Sequence, residues 1–273
     1  MKDSFDDPLL TPPPERASFL DGVRFAFGTL TVLPARITRW DRPAARTGMA
    51  CAPLAGLVVG LLATVPGVLL LVLGGGPLLA AAVTVAVPAA LTRGLHLDGL
   101  ADTADGLGSA KPAEDALRIM KQSDIGPFGV VTLVIMMMVQ VAALSDVYAD
   151  SWIRGALAAV TAAVTARLAM TLASRQGVPP ARPEGLGAAV AGVVPRAAAA
   201  AVAALTAAVA AAAALPLGLP AAGRHAAAVL AALLAAELLL RRCVRRFDGV
   251  TGDVFGAVAE VSATTALIVL ALG

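Results

Sequence analysis

The chain has 273 residues, of which 58% are hydrophobic and 15% are charged, and its formal net charge is +2. Soluble domains carry about 25% charged residues. A water-soluble fold could not cover this much Ala, Val and Leu, so lipid is the expected solvent. The small net charge gives no reason to expect a nucleic-acid partner. We therefore predict an all-α polytopic membrane protein.

The N-terminal end is polar and has no apolar core that would form a signal peptide. We predict a disordered cytoplasmic tail over 1–17, followed by one membrane-embedded domain over 18–273.

The segment 18–33 places Phe19, Val23, Phe27 and Leu30 on one helical face. Polar residues interrupt this apolar segment, so it predicts a helix that lies at the membrane interface rather than crossing.

About seven transmembrane helices follow, and Lys and Arg set their orientation. Most basic residues fall in loops on one side, which the positive-inside rule makes cytoplasmic. Arg154 and Arg224 fall outside. This pattern predicts a multi-pass protein of the cytoplasmic membrane, whose partners include the lipid bilayer. It leaves open whether the protein forms a homo-oligomer. The predicted spans are 51–73, 78–92, 127–144, 152–172, 197–215, 226–240 and 254–272.

The first polar motif, RGLHLDGLADTADGLG, occupies 93–108. Asp98, Asp102 and Asp105 share one stripe of a helix, where like charges repel unless a cation neutralises them. Oxygen ligands select a hard ion, most naturally Mg²⁺ held together with substrate phosphates. The alternative is a solvated acidic face. His96 precedes this stripe as a general base, a structural donor or neither.

The second motif, RFDGVTGDVFGAVAE, occupies 246–260 and opens the last span. Asp253 and Glu260 are seven residues apart and share a helical face. An ionisable group inside a span is costly and points to a function with a partner. We expect both carboxylates to join the metal site. For Glu260 the alternative is an ion pair with an arginine on a neighbouring helix.

The third motif, ALRIMKQSDIGPFG, covers 116–129 and supplies Arg118, Lys121 and Ser123. Basic groups near a carboxylate–metal cluster suit a phosphate or pyrophosphate. Arg167 and Arg175, near the inner end of a span, are further phosphate candidates. The alternatives are an amphipathic loop helix and ordinary positive-inside charge. The two cysteines, 51 and 243, are expected to be unpaired thiols.

These motifs closely resemble those of the cobalamin synthase family, the adenosylcobinamide-GDP ribazoletransferases. GLHLDGLADTADGLGS resembles the family signature, RIMKQSDIGPFG its second block and GVTGDVFGAVAE its C-terminal block. FGTLTVLP at 27–34 and PLAG at 53–56 are similar to its N-terminal pattern. The resemblance covers nearly the whole chain.

The resemblance implies an enzyme that joins adenosylcobinamide-GDP to α-ribazole or its 5′-phosphate. GMP would leave, adenosylcobalamin or its phosphate would form, and magnesium would be required. The residues fit this chemistry: Mg²⁺ neutralises charge on the phosphoryl oxygens, and a nearby carboxylate takes the alcohol proton. We therefore assign Asp98, Asp102, Asp105 and His96 as catalytic candidates.

Two other functions compete with this interpretation. A CDP-alcohol phosphotransferase of lipid synthesis uses a loosely similar Asp-rich motif, but it would need Arg where this chain has Asp102. A cation-coupled transporter would explain the intramembrane Glu260, although transporters usually hold such charges near the midplane.

Overall fold

The computed structural model describes residues 16–272. Within them the chain folds into helices joined by short loops, with no β-strand. The all-α class predicted from the sequence is therefore confirmed. The helices are α1 (Phe19–Leu30), α2 (Arg42–Val72), α3 (Pro77–Leu91), α4 (Leu95–Gly108), α5 (Ala113–Ile119), α6 (Pro127–Asp150), α7 (Trp152–Ala173), α8 (Gly185–Val190), α9 (Arg196–Ala214), α10 (Leu219–Phe247) and α11 (Gly252–Ala271).

Five helices in the described part of the chain, α2, α6, α7, α9 and α11, are long and apolar enough to cross a membrane, which identifies a polytopic membrane protein. Helices α3 and α4 together would make a sixth span. The count is lower than the seven expected because α10 is not among them. Helix α10 nevertheless runs antiparallel to α11: Ser262 Oγ donates to the Ala232 carbonyl oxygen, and His225 shares a cavity with Leu270.

Helices α3 and α4 meet at a bend of 88°. Two consecutive residues with left-handed backbone make this bend, Arg93 with φ of 54° and Gly94 with φ of 71°. Glycine adopts this region without the steric cost that a Cβ imposes. The bend ends the 15-residue α3 and turns the acidic motif into a separate helix at the end of the bundle.

Small residues allow the longest helices to touch through their backbones. A Cβ on Gly56 of α2 would lie 2.5 Å from the Ala163 carbonyl oxygen of α7. One turn later, a Cβ on Gly60 would lie 2.9 Å from Val160 Cα. Close approach of this kind is how helices associate in lipid, where no hydrophobic effect drives them together.

The N-terminal segment forms the predicted helix. Ser18 and Asp21 form a reciprocal capping box at the start of α1. At 12 residues, α1 is roughly 18 Å long and too short to cross a bilayer. It packs on α2 through Phe25, while Phe19 stays 67% exposed. The interfacial position stays a prediction, and residues 1–15 of the predicted tail lie outside the described residues.

Candidate active site

The carboxylates of Asp98, Asp102 and Asp253 form an acidic cluster where α4 crosses α11. A Cβ on Gly99 of α4 would lie 2.6 Å from the Asp253 carbonyl oxygen, so the two backbones touch. On α11, a Cβ on Gly256 would lie 2.9 Å from the His96 carbonyl oxygen. This contact brings Asp98 and Asp102 within electrostatic range of Asp253. Two sequence motifs that are about 150 residues apart therefore meet, as predicted.

Asp98 and Asp102 face a cleft of about 610 Å³. Neither carboxylate has a hydrogen bond or ion pair with any residue between 16 and 272. Asp253 accepts one hydrogen bond, from Thr251 Oγ1 at 3.0 Å. Carboxylates without protein partners remain available to a ligand. The cleft is also lined by Arg93, Gly94, Leu95, Ala101, Gln122, Ser123, Asp124, Ile125 and Leu133.

Asp105 differs from the other two carboxylates of its stripe. It is 6% exposed. Its Oδ2 accepts a hydrogen bond from the Gly126 N–H at 2.8 Å, and its Oδ1 accepts one from the Gly129 N–H at 3.0 Å. Asp105 therefore caps the N-terminus of α6, where free N–H groups and the helix dipole favour an anion. The structure gives this predicted catalytic and metal residue a role in the fold.

The glycines of the third motif make room for this cap. A Cβ on Gly126 would lie 2.4 Å from Asp105 Oδ1, and one on Gly129 would lie 2.5 Å from Oδ2. The IGPFG sequence thus binds a buried carboxylate through its backbone N–H groups, and Pro127 occupies the first helical position of α6.

Glu260 lies away from the cleft, inside the helix bundle. Its Oε2 accepts a hydrogen bond from Gln140 Nε2 at 3.0 Å, and it lines a separate cavity together with Arg167. The expected convergence of five carboxylates in one pocket is therefore not what the structure shows. Asp98 and Asp102 lie at the cleft, and Asp253 lies near them where α4 crosses α11. Asp105 caps α6, and Glu260 lies in the interior.

His96 is 3% exposed and does not line the cleft. It lies on the side of α4 that packs against α11, and its Nε2 atom is buried without a hydrogen-bond partner. The structure therefore gives no contact through which His96 could serve as a base for a ligand in the cleft.

Of the five predicted phosphate-binding residues, Ser123 lines the cleft. Arg118 pairs with Asp115 on its own helix at 3.0 Å, and Lys121 pairs with Glu184 at 3.5 Å. Arg175 pairs with Glu237 of α10 at 2.9 Å. Arg167 is buried within α7.

Sequence reasoning missed the two arginines that act on the cleft. Arg93 lines the cleft, whereas its position in the sequence indicated only the positive charge typical of a cytoplasmic loop. The charge of Arg182 acts on both Asp102 and Asp253, and its Nη2 donates to the Leu117 carbonyl oxygen. Arg182 lies in a loop far along the chain from Asp102, and no local pattern signals its position.

The acidic cluster fits a hard cation by donor type. No group of three or more His, Cys, Asp or Glu side chains within residues 16–272 is arranged as a metal site. Magnesium, however, is usually bound by one or two carboxylates and completed by substrate phosphates and water. Asp98, Asp102 and Asp253 supply such carboxylates from two helices, and Asp98 and Asp102 have no competing protein partner.

The cysteine prediction is confirmed. Cys51 and Cys243 are both free and buried.

Comparisons with known proteins identify the family of the chain. The profile of the family described as Cobalamin-5-phosphate synthase matches residues 22–271. The chain is 44% identical over 267 residues to the adenosylcobinamide-GDP ribazoletransferase of Frankia casuarinae, covering 91% of this chain and 94% of the relative. It is 38% identical over 255 residues to the protein of the same name from a Nocardioides species, covering 91% and 97%. No solved structure matches the chain significantly.

Proposed function

Because the chain belongs to the cobalamin-5-phosphate synthase family, we propose that it transfers the phosphocobinamide part of adenosylcobinamide-GDP to α-ribazole or its 5′-phosphate. The ribose hydroxyl attacks the phosphorus that carries the cobinamide, and the bond from that phosphorus to the GMP oxygen breaks. GMP leaves, and adenosylcobalamin or its 5′-phosphate forms. The observation that carries this proposal is the pair Asp98 and Asp102, which face the cleft without protein partners.

The described residues divide this chemistry between acid groups and arginines. A carboxylate of the cluster, Asp98, Asp102 or Asp253, takes the proton that the attacking hydroxyl loses. Arg93 lines the cleft and Arg182 lies near Asp102, so both can approach the negatively charged pyrophosphate. Ser123 also lines the cleft and can donate a hydrogen bond to a phosphate oxygen.

We further propose that the cluster binds Mg²⁺ through one or two of the carboxylates of Asp98, Asp102 and Asp253, with substrate phosphates and water completing the coordination. When bound, the ion neutralises charge on the phosphoryl oxygens and fixes the in-line geometry. Without a cation, three neighbouring carboxylates and a pyrophosphate would repel one another. The acidic cluster and the predicted substrate charge together support this part of the proposal.

We also propose that the cleft faces the cytoplasm, in the cytoplasmic membrane. Arg241, Arg242, Arg245 and Arg246 lie in the last turns of α10, at the end that leads directly into α11 and the cleft. At the other end of the bundle, Arg154 and Arg224 share a cavity with Asp146 and Asp150. This asymmetry supports the orientation, since Lys and Arg concentrate on the cytoplasmic side.

The test uses the whole chain in proteoliposomes, with adenosylcobinamide-GDP, α-ribazole and Mg²⁺. GMP release that stops with EDTA and with Asp102→Asn is the expected result. Asp146→Asn is the matched control, because Asp146 is an aspartate at the opposite end of the molecule.

Each competing outcome would overturn a stated part of the proposal. Release of CMP from a CDP-alcohol, with no GMP from adenosylcobinamide-GDP, would identify a lipid phosphotransferase. Ion flux without nucleotide release would identify a transporter. Full GMP release in EDTA would remove the metal from the mechanism.

A further inference from the structure

Arg167 is a buried charge without a direct partner. It lies within the α7 span and is 3% exposed. Its Nε and Nη2 atoms are buried and form no hydrogen bond. It has no ion pair within 4.0 Å among residues 16–272. An isolated guanidinium in a low-dielectric interior is costly, so these donors require an acceptor.

The acceptor lies across a small cavity. Arg167, Glu260 and Gln140 line a space of about 50 Å³ between six helices. The charges of Arg167 and Glu260 act on each other, although the two side chains are too far apart for a direct ion pair. Gln140 Nε2 donates to Glu260 Oε2 at 3.0 Å and to Thr264 Oγ1 at 2.9 Å, which fixes the carboxylate at one side of the cavity.

The volume and the lining identify what fits this space. One water occupies about 30 Å³ of liquid, and a buried water needs two to four polar partners. The cavity therefore has room for roughly one or two waters, and Arg167, Glu260 and Gln140 supply the partners. An anion would meet the Glu260 carboxylate, and a cation would meet the guanidinium, so a neutral ligand fits best.

We propose that the cavity is an internal hydration site, in which bound water bridges Arg167 and Glu260 into one buried ion pair. This role replaces the metal-binding role that the sequence suggested for Glu260. It also satisfies the two guanidinium donors without moving any helix.

The pair lies next to α4, the helix that carries Asp98 and Asp102. Leu97 of α4 lines the same cavity, and the charge of Arg167 acts on His96, which is also on α4. Asp98, the residue that follows Leu97, lines the cleft. We therefore assign Arg167 and Glu260 as positioning residues that hold α4 against α7 and α11. This part rests on the proposed function, whereas the hydration site does not.

The first test is a thermal-stability cycle of Arg167→Met, Glu260→Gln and the double variant. Removing one member leaves the other charge buried and alone, so each single variant should lower the unfolding midpoint by roughly 10 °C. The double variant should recover most of that loss. The exposed pair Arg154–Asp150, at 2.7 Å, is the matched control, and Arg154→Gln with Asp150→Asn should show little coupling.

The cycle has clear contrary outcomes. If the losses of the two single variants add in the double variant, the two charges are not a pair. If the single variants fail to fold but the double variant folds, the pair is supported. Failure of the double variant to fold would overturn it.

The second test fills the cavity with Ala263→Val, next to Glu260 on α11. If water bridges the pair, the added methyl groups displace it and the midpoint falls. A dry cavity would instead gain packing, and an unchanged or raised midpoint would overturn the hydration site. Ala142→Val, on an exposed position of α6, is the control for adding methyl groups to a helix.

Turnover tests the positioning role. The double variant, once shown to be folded, should lose tenfold or more in kcat because small displacements of reacting groups are costly, while KM changes little. An unchanged kcat would overturn positioning and leave the hydration site intact. If the parent protein itself releases no GMP, the proposed function fails, and the two stability tests still decide the hydration site.

Discussion

Asp105 and Asp98 belong to one stripe of α4, and we expect their replacement to affect different properties, the stability of the fold for Asp105 and turnover for Asp98. Asp105 is buried and accepts two hydrogen bonds from the N-terminus of α6. Asp98 is exposed and has no protein partner among residues 16–272. Asp105→Asn should therefore destabilise the fold, and Asp98→Asn should leave the fold intact and reduce turnover.

The magnitude follows from the two hydrogen bonds. A hydrogen bond to a charged group contributes about 1.5–3 kcal/mol. Asn keeps one acceptor oxygen but turns an amide group toward a backbone N–H, so at least one bond is lost together with the favourable interaction of the charge with the helix dipole. We expect a loss of about 2–3 kcal/mol in the free energy of unfolding. For a chain of this size that is roughly 4–12 °C in the midpoint.

The assay uses the two native thiols. Cys51 and Cys243 are both buried and free, so a thiol-reactive fluorophore reports their exposure as the purified protein is heated. Gly129→Ala is a second probe, since its Cβ would lie 2.5 Å from Asp105 Oδ2 and displace the carboxylate. Combined with Asp105→Asn it should add little, because both variants break the same contact. Equal midpoints for Asp105→Asn and the parent, or an equal fall for Asp98→Asn, would refute the cap.

Three further predictions concern the site and the helix ends. Asp102→Asn should reduce GMP release by roughly a hundredfold or more without lowering the unfolding midpoint. Raised Mg²⁺ should partly restore the rate. Near-normal rates at limiting Mg²⁺ would show that Asp102 does not contribute to metal binding. Gly99→Ala should lower both stability and turnover. Gly74→Ala is the control: its Cβ would have no atom within 4 Å, so only the backbone strain at a φ of +88° would change its stability. Asp41→Ala should lose about 1 kcal/mol of helix capping at neutral pH. The pKa of Asp41 is lowered from 3.8, first by the backbone hydrogen bond from Ala44, so this difference should be present above pH 3.8 and disappear as the pH falls through the lower folded-state pKa.

The sequence predicted the membrane class and most spans because lipid-exposed helices carry a simple compositional signal. It predicted that the span ends at 92 but could not predict the 88° bend that follows, since the bend depends on the left-handed backbone of Arg93 and Gly94, which composition and periodicity do not signal. It also predicted that the first and last polar motifs meet. Their separation along the chain did not matter, because the glycines that let α4 and α11 touch lie within the motifs themselves.

Helical periodicity gave wrong predictions where residues on one face of a helix were assumed to have the same surroundings. Asp98, Asp102 and Asp105 share a stripe, yet the stripe passes from an exposed cleft to a buried contact with α6. Likewise, Asp253 and Glu260 share a face of α11, but seven residues of helix are roughly 10 Å. This length separates the crossing of α4 and α11 from the interior cavity. Spacing shows which side of a helix a residue is on, and tertiary packing decides what that side meets.

Gly99→Ala tests whether the fold and the chemistry depend on one contact between α4 and α11. A methyl group at this position would lie 2.6 Å from the Asp253 carbonyl oxygen and 2.9 Å from Asp253 Cα, both backbone atoms that cannot rotate away. The helices must then separate by a few tenths of an ångström or more, and this moves Asp253 relative to Asp98 and Asp102. A metal held between carboxylates of two helices would feel that displacement directly. If Gly99→Ala lost stability but kept its rate and its Mg²⁺ dependence, the carboxylates of α4 and α11 would not share one site.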